Sequence, residues 1–402
     1  MRTGKLGLTL FGGLAILVSA CSGAATPTPS ASTAPPPSTA AESPSGAAES
    51  PSGAAASPSG PAPSSNLKIG VVTDIGTLND KNFNEYSFKG AEEGAAAIGA
   101  PEPQSIVPTS ASDYAPSIKN FLDQKTDIIV TVGFNLASAT VQAAHDNPDT
   151  WFIGVDQSPI CVTAEGLPDS SFACKGDAAT LLPKYISVWF QEDQAGYLAG
   201  IVAAGATKTK EIGAIGGTSI CAPCVRYIQG YELGAKSVDP SIKVDSAYVT
   251  NDFSAAAFQD QAGGKTFAQN FLKQNKNVDV LFQVAGLTGN GVLDAACDKK
   301  ILGIGVDVDQ FQSYPNAQPC LLTSAEKHLQ LAVSSAVTAA AGGSATPGNL
   351  LYDAKNDGIG VSAGHNNSNK WAPDAQTKIN AALAGMKDGS VKTCPDNCGT
   401  LK

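Results

Sequence analysis

Residues 301–307 read Ile-Leu-Gly-Ile-Gly-Val-Asp, and the same ending closes two other apolar runs. Residues 68–74 read Lys-Ile-Gly-Val-Val-Thr-Asp, and residues 151–156 read Trp-Phe-Ile-Gly-Val-Asp. Short β-branched runs of this kind predict strands buried on both faces of a parallel sheet. In an open α/β sheet the carboxyl ends of strands face the ligand crevice. Asp74, Asp156 and Asp307 therefore stand where a carboxylate can accept hydrogen bonds from a diol. Any one of them could instead cap the next turn. Three in matching places point to a hydroxyl-rich ligand.

The same strand–helix alternation spreads outward from these runs. Further strands are predicted at 127–132, 211–215, 244–249 and 278–284. Helices are predicted at 84–98, 136–145, 193–204, 227–237, 255–274, 291–296 and 326–341. That is too many strands for one Rossmann unit, so two doubly wound parallel-sheet lobes around a cleft are expected. Aromatics recur near the same loops, at Phe83, Phe134, Phe253 and Phe311. Flat rings beside carboxylates suit a ligand with a planar part and a polyol part.

Composition changes abruptly along the 402 residues. Arg2 and Lys5 precede an apolar segment, Leu6–Val18, and then Val18-Ser19-Ala20-Cys21. This order predicts a lipoprotein signal peptide over residues 1–20, with Cys21 as the lipidated mature N-terminus. Ser22–Ser65 is almost wholly Ala, Pro, Ser, Gly and Thr. Such a segment has no apolar period to bury, so residues 21–65 are expected to be a lipidated Cys and a disordered tether. The expected address is the extracytoplasmic face of the cell membrane, held by a lipid anchor.

The formal net charge is -10, with 26 basic and 36 acidic side chains. No basic field is present, so nucleic acid is not expected as a partner. Nine cysteines leave eight after Cys21. An even number outside the cytoplasm predicts disulfides. Closeness in sequence favours Cys161–Cys174, Cys221–Cys224, Cys297–Cys320 and Cys394–Cys398. Cys221-Ala222-Pro223-Cys224 could alternatively be a redox pair. A zinc site is disfavoured, because a second close pair would have to come from the extreme C-terminus.

Catalytic motifs are missing from the sequence. The three histidines, His145, His328 and His365, show no metal-ligand spacing. The run Gly286-Leu287-Thr288-Gly289-Asn290-Gly291 lacks the Lys and Ser/Thr of a phosphate loop. No enzyme activity, cofactor or metal is expected.

The segment Val72-Thr73-Asp74-Ile75-Gly76-Thr77-Leu78-Asn79-Asp80-Lys81-Asn82-Phe83-Asn84 resembles the opening motif of the basic membrane protein family. These are PnrA-like substrate-binding lipoproteins of ABC transporters. The resemblance continues through Gly133-Phe134, Phe152–Asp156, Ala195–Gly200, Gly216-Gly217, Val284–Gly289 and Ile304–Gln310. It implies a periplasmic-binding-protein-like type I fold with three crossovers between the lobes. It also implies a purine nucleoside as ligand and an ABC permease as partner of a monomeric receptor. Carried onto this chain, it implies polar ligand contacts from Asp74, Asn84, Asp156, Asp307 and Lys327, and stacking from Phe83 and Phe253. Asp309 is retained with a less defined role, and Asn79-Asp80 replaces the family's usual acidic pair.

The expected core, residues 66–402, divides into lobe 1 at about 66–190 plus a segment near 305–330, and lobe 2 at about 191–304 plus about 331–402. Two alternatives remain on this scaffold. One is a sugar-binding receptor, and the other is an extracytoplasmic nucleoside hydrolase.

Overall fold

The computed structural model describes residues 65–401, apart from residues 158, 159 and 172. The signal peptide, Cys21 and all of the tether but Ser65 lie outside the described residues. Among the described residues, twelve strands follow in chain order: β1 (Ile69–Val72), β2 (Gln104–Ile106), β3 (Ile128–Val132), β4 (Trp151–Val155), β5 (Tyr185–Phe190), β6 (Glu211–Thr218), β7 (Lys243–Thr250), β8 (Val280–Val284), β9 (Leu302–Asp307), β10 (Leu321–Lys327), β11 (Gly348–Tyr352) and β12 (Ile359–Val361).

They form two six-stranded sheets. The first runs β11-β5-β4-β3-β1-β2, and the second runs β12-β10-β9-β8-β6-β7. Every neighbouring pair is parallel except β10 and β12. The central strands β3 and β8 are buried at all of their residues, as their unbroken apolar runs predict. This is the type I binding-protein architecture.

The chain passes between the lobes three times. After β5, the helix Glu192–Ala206 packs on the second lobe, against the helix Ala222–Val238. After β10, the helix Leu329–Ala341 packs against the helix Phe83–Ala97 of the first lobe. After β11, the chain returns to β12 in the second sheet.

The expected lobe division differs here in two ways. The segment near 305–330 belongs to the second sheet, because β10 pairs with β9. Within residues 331–402, most of the helix Leu329–Ala341 and all of β11 belong with the first lobe. The helix expected at 326–341 also begins later, at Leu329. Glu326 and Lys327 end a strand, with Ala325 opposite Val306 and Glu326 opposite Asp307. Thr323-Ser324-Ala325-Glu326-Lys327 has weak local β preference, so long-range pairing overrides it. The helix expected at 255–274 is interrupted near Gln259, where Asp260 caps a new helix by accepting from Gly263 N at 2.8 Å.

One packing feature sets the position of the second lobe's cleft wall. Helices Glu192–Ala206 and Ala222–Val238 interlock through glycines. A Cβ at Gly196 would stand 2.1 Å from the Tyr227 carbonyl oxygen, and one at Gly234 would stand 2.0 Å from that of Tyr197. Gly200 and Gly230 make the same close approaches to Tyr231 and Asp193. Only glycine lets the two backbones come this near. The contact brings Glu192, at the start of one helix, beside Arg226 and Tyr227, in the first turns of the other.

Candidate functional site

The carboxyl ends of β1, β4 and β9 open on one cleft between the lobes. It spans about 970 Å³, its open mouth included. Asp74, Phe83, Asn84, Asp156, Phe253, Asp307 and Lys327 all line it.

Lys327 is the centre of the inner wall. It ends β10 and is buried, with its side chain 2% exposed. Its Nζ lies 2.5 Å from Asp156 Oδ2, 3.2 Å from Glu192 Oε1 and 4.0 Å from Asp307 Oδ1. The rings of Phe83, Phe190 and Tyr227 surround the same ammonium at 5.4, 5.4 and 5.7 Å. Burial opposes the charge, yet the three carboxylates hold the Lys327 ammonium well above its ordinary pKa.

The carboxylates answer to the same burial. It pushes Asp156 up to about 6, against the attraction of Lys327, and it also raises Asp307. Burial works against Glu192 too, but Arg226 and Lys327 hold it below its ordinary range. Arg226 Nε donates to Glu192 Oε2 at 2.6 Å, and Tyr227 OH donates to Asp307 Oδ1 at 3.1 Å.

Asp156 and Asp307 both adopt left-handed backbone, with φ of 59° and 63°. Few residues other than Gly, Asn and Asp take this conformation readily. It ends each strand sharply and leaves the carboxylate at the cleft. Asp156 Oδ1 and Asn84 Oδ1 are buried and have no hydrogen-bond partner among the described residues. An unmatched buried acceptor costs roughly 1–3 kcal/mol, so both favour a ligand that brings a donor.

Asp74 stands on the first-lobe wall. It accepts from Tyr114 OH, from Asn135 Nδ2 at 3.0 Å and from Ile75 N at 2.7 Å. Gly133 makes room for it, since a Cβ there would lie 2.7 Å from Asp74 Oδ2, and its φ of 107° suits glycine. Asp80 has a structural task. It accepts from the backbone N of Asn82, Asn84 and Glu85 and so caps the helix that carries Phe83. Burial pushes its pKa up to about 6. Nearer the mouth, Phe134 of the first lobe meets Phe253 of the second, with ring centroids 5.1 Å apart.

Two residues singled out in the sequence stand elsewhere. Phe311 stacks on His365 at 4.2 Å, and Asp309 pairs with His365 Nε2 at 2.9 Å. Asp309 also caps its own short helix by accepting from Phe311 N. Sequence reasoning missed Glu192, Arg226 and Tyr227. Arg226 carried a usable signal, being the single arginine of residues 66–402. The four disulfides are those that closeness in sequence favours: Cys161–Cys174, Cys221–Cys224, Cys297–Cys320 and Cys394–Cys398.

Comparison with known proteins bears on this geometry. A family model described as ABC transporter substrate-binding protein, PnrA-like, matches residues 67–392. The ABC transporter nucleoside-binding protein BmpA of Lactococcus lactis is 32% identical over 257 residues, which is 61% of this chain and 65% of that protein. The CD4+ T-cell-stimulating antigen of Listeria monocytogenes is 26% identical over 82% of this chain and 88% of its own length. Among solved structures, an ABC transporter solute-binding protein of Aeropyrum pernix superposes with a TM-score of 0.68 at 20% identity, over 81% of this chain and 92% of that one.

Proposed function

The chain belongs to the PnrA-like family of ABC transporter substrate-binding proteins, and we propose that it binds a purine nucleoside in its interlobe cleft for delivery to a permease. A relative in Pyrococcus furiosus is described as a lipoprotein, and three in Borreliella burgdorferi as basic membrane proteins, in keeping with the lipid anchor expected at Cys21.

The observation that carries the nucleoside reading is the pairing of two chemistries in one cleft. Around Lys327 lie the carboxylates of Asp156 and Asp307, one of them with an unmatched oxygen. Ribose hydroxyls would donate to these carboxylates, and Lys327 would donate to a hydroxyl oxygen. Phe83 and the Phe134–Phe253 pair offer apolar faces for a planar base. Asp74 and Asn84 would read polar atoms of the ligand. Closing the lobes would take the ligand out of water and strengthen each of these contacts.

Thermal shift and calorimetry of the full-length protein with inosine, adenosine, free bases and pentoses test this reading. Binding of nucleosides in preference to bases and pentoses is expected. Stabilisation by a free sugar and by no nucleoside would reassign the protein as a sugar receptor.

A further inference from the structure

Among the four described disulfides, Cys221–Cys224 is the one with both residues on the cleft wall. The two cysteines are 2% and 5% exposed. Cys221 caps the helix Ala222–Val238, its Sγ accepting from Cys224 N at 3.2 Å. Pro223 sits in the same turn and supplies no N–H. Two residues after Cys224 comes Arg226, which donates to Glu192, and then Tyr227, which donates to Asp307. Both acceptors face Lys327. The cross-link therefore closes the turn from which both donors project.

We propose that the Cys221–Cys224 disulfide is a positioning element of the ligand cleft. It holds the first turn of this helix so that Arg226 and Tyr227 keep Glu192 and Asp307 assembled around Lys327. The proposal rests on the cleft being the nucleoside site, and it adds a coupling to that reading. A ligand filling the cleft covers the disulfide, and the disulfide keeps the cleft in its binding form. Linkage makes the effect reciprocal, so ligand disfavours reduction by the same factor that reduction disfavours ligand. In the reduction step an external dithiol breaks the Sγ–Sγ bond. The dithiol is oxidised to its own disulfide, and its two protons end on the Cys221 and Cys224 thiols.

The test compares inosine affinity by calorimetry for the oxidised full-length protein and for the double variant Cys221→Ser/Cys224→Ser. The double variant Cys297→Ser/Cys320→Ser, whose disulfide lies away from the cleft, is the control. Affinity about tenfold weaker is expected for the first variant, and no change for the control. A second readout is the release of free thiols by dithiothreitol, followed by mass spectrometry. Inosine should slow release at Cys221 and Cys224 more than at Cys297 and Cys320, as the reciprocal coupling requires. Unchanged affinity in the first variant, or equal protection of both disulfides, overturns the proposal. If the oxidised protein binds no inosine, the nucleoside reading fails by itself. Hydrogen exchange then decides the positioning role: reduction should speed exchange around Arg226, Tyr227 and Asp156, and equal rates there overturn it.

Discussion

Lys327 Nζ lies 2.5 Å from Asp156 Oδ2, so the last residue of β10 in the second lobe is tied to the end of β4 in the first. The pair spans the cleft between the two lobes. It also makes one buried ammonium the common partner of three carboxylates.

Lys327→Met should destabilise the protein by about 3–5 kcal/mol, the cost of leaving buried charges uncompensated. Urea denaturation checks this. A loss below about 1 kcal/mol would mean that water reaches the three carboxylates and screens them.

Asp156→Asn should fold, because Asn tolerates the left-handed backbone that this position adopts. Ligand affinity should nonetheless fall. A hydrogen bond to a charged group contributes about 1.5–3 kcal/mol, which corresponds to a loss of roughly ten- to a hundredfold. Titration calorimetry with inosine checks it, and unchanged affinity would remove Asp156 from the site.

Gly234→Ala should cost about 1–3 kcal/mol through overpacking, because its Cβ would stand 2.0 Å from the Tyr197 carbonyl oxygen. The interlocked helices would have to separate and carry Tyr227 away from Asp307. Chemical denaturation and inosine affinity should therefore fall together. Loss of stability with full affinity would show that the helix contact does not position Tyr227.

Phe253→Ala should leave stability nearly unchanged, since Phe253 is 43% exposed. It should weaken nucleoside binding by an amount set by one aromatic contact, about 0.5–1.5 kcal/mol. Calorimetry with inosine and with ribose separates the two halves of the ligand. Equal losses for both would show that Phe253 does not meet the base.

Glu326 gives the pH expectation. It lines a groove with Tyr86, Asp309 and His328, and burial, then the charge of Asp309, push its carboxyl up to about 8 from an ordinary value of 4.5. The folded state thus holds a proton that the unfolded state releases. This contribution is fully present below about pH 4.5 and is lost as pH rises through 8. Glu326→Gln mimics the protonated form, so its melting temperature should exceed that of the parent at pH 9 and match it at pH 5. Equal melting temperatures at both values would show Glu326 ionising normally.

Much of this protein is legible without its coordinates, and the reason is local. The apolar runs ending in Asp74, Asp156 and Asp307 are short, β-branched and buried on both faces, so their period needs no partner to be read. The disulfides are legible because close cysteines close short loops. Tertiary structure alone decided which sheet takes each late segment. Thr323–Lys327 is a weak strand by propensity, and only its pairing with β9 makes Lys327 the end of a strand rather than the first turn of a helix. Glu192 and Tyr227 reach Lys327, and Arg226 reaches Glu192, because glycines far apart in sequence let two helix backbones approach closely. Such contacts join residues separated by tens to more than a hundred positions. No local pattern encodes them, so the cluster exists only once the chain has crossed between its lobes.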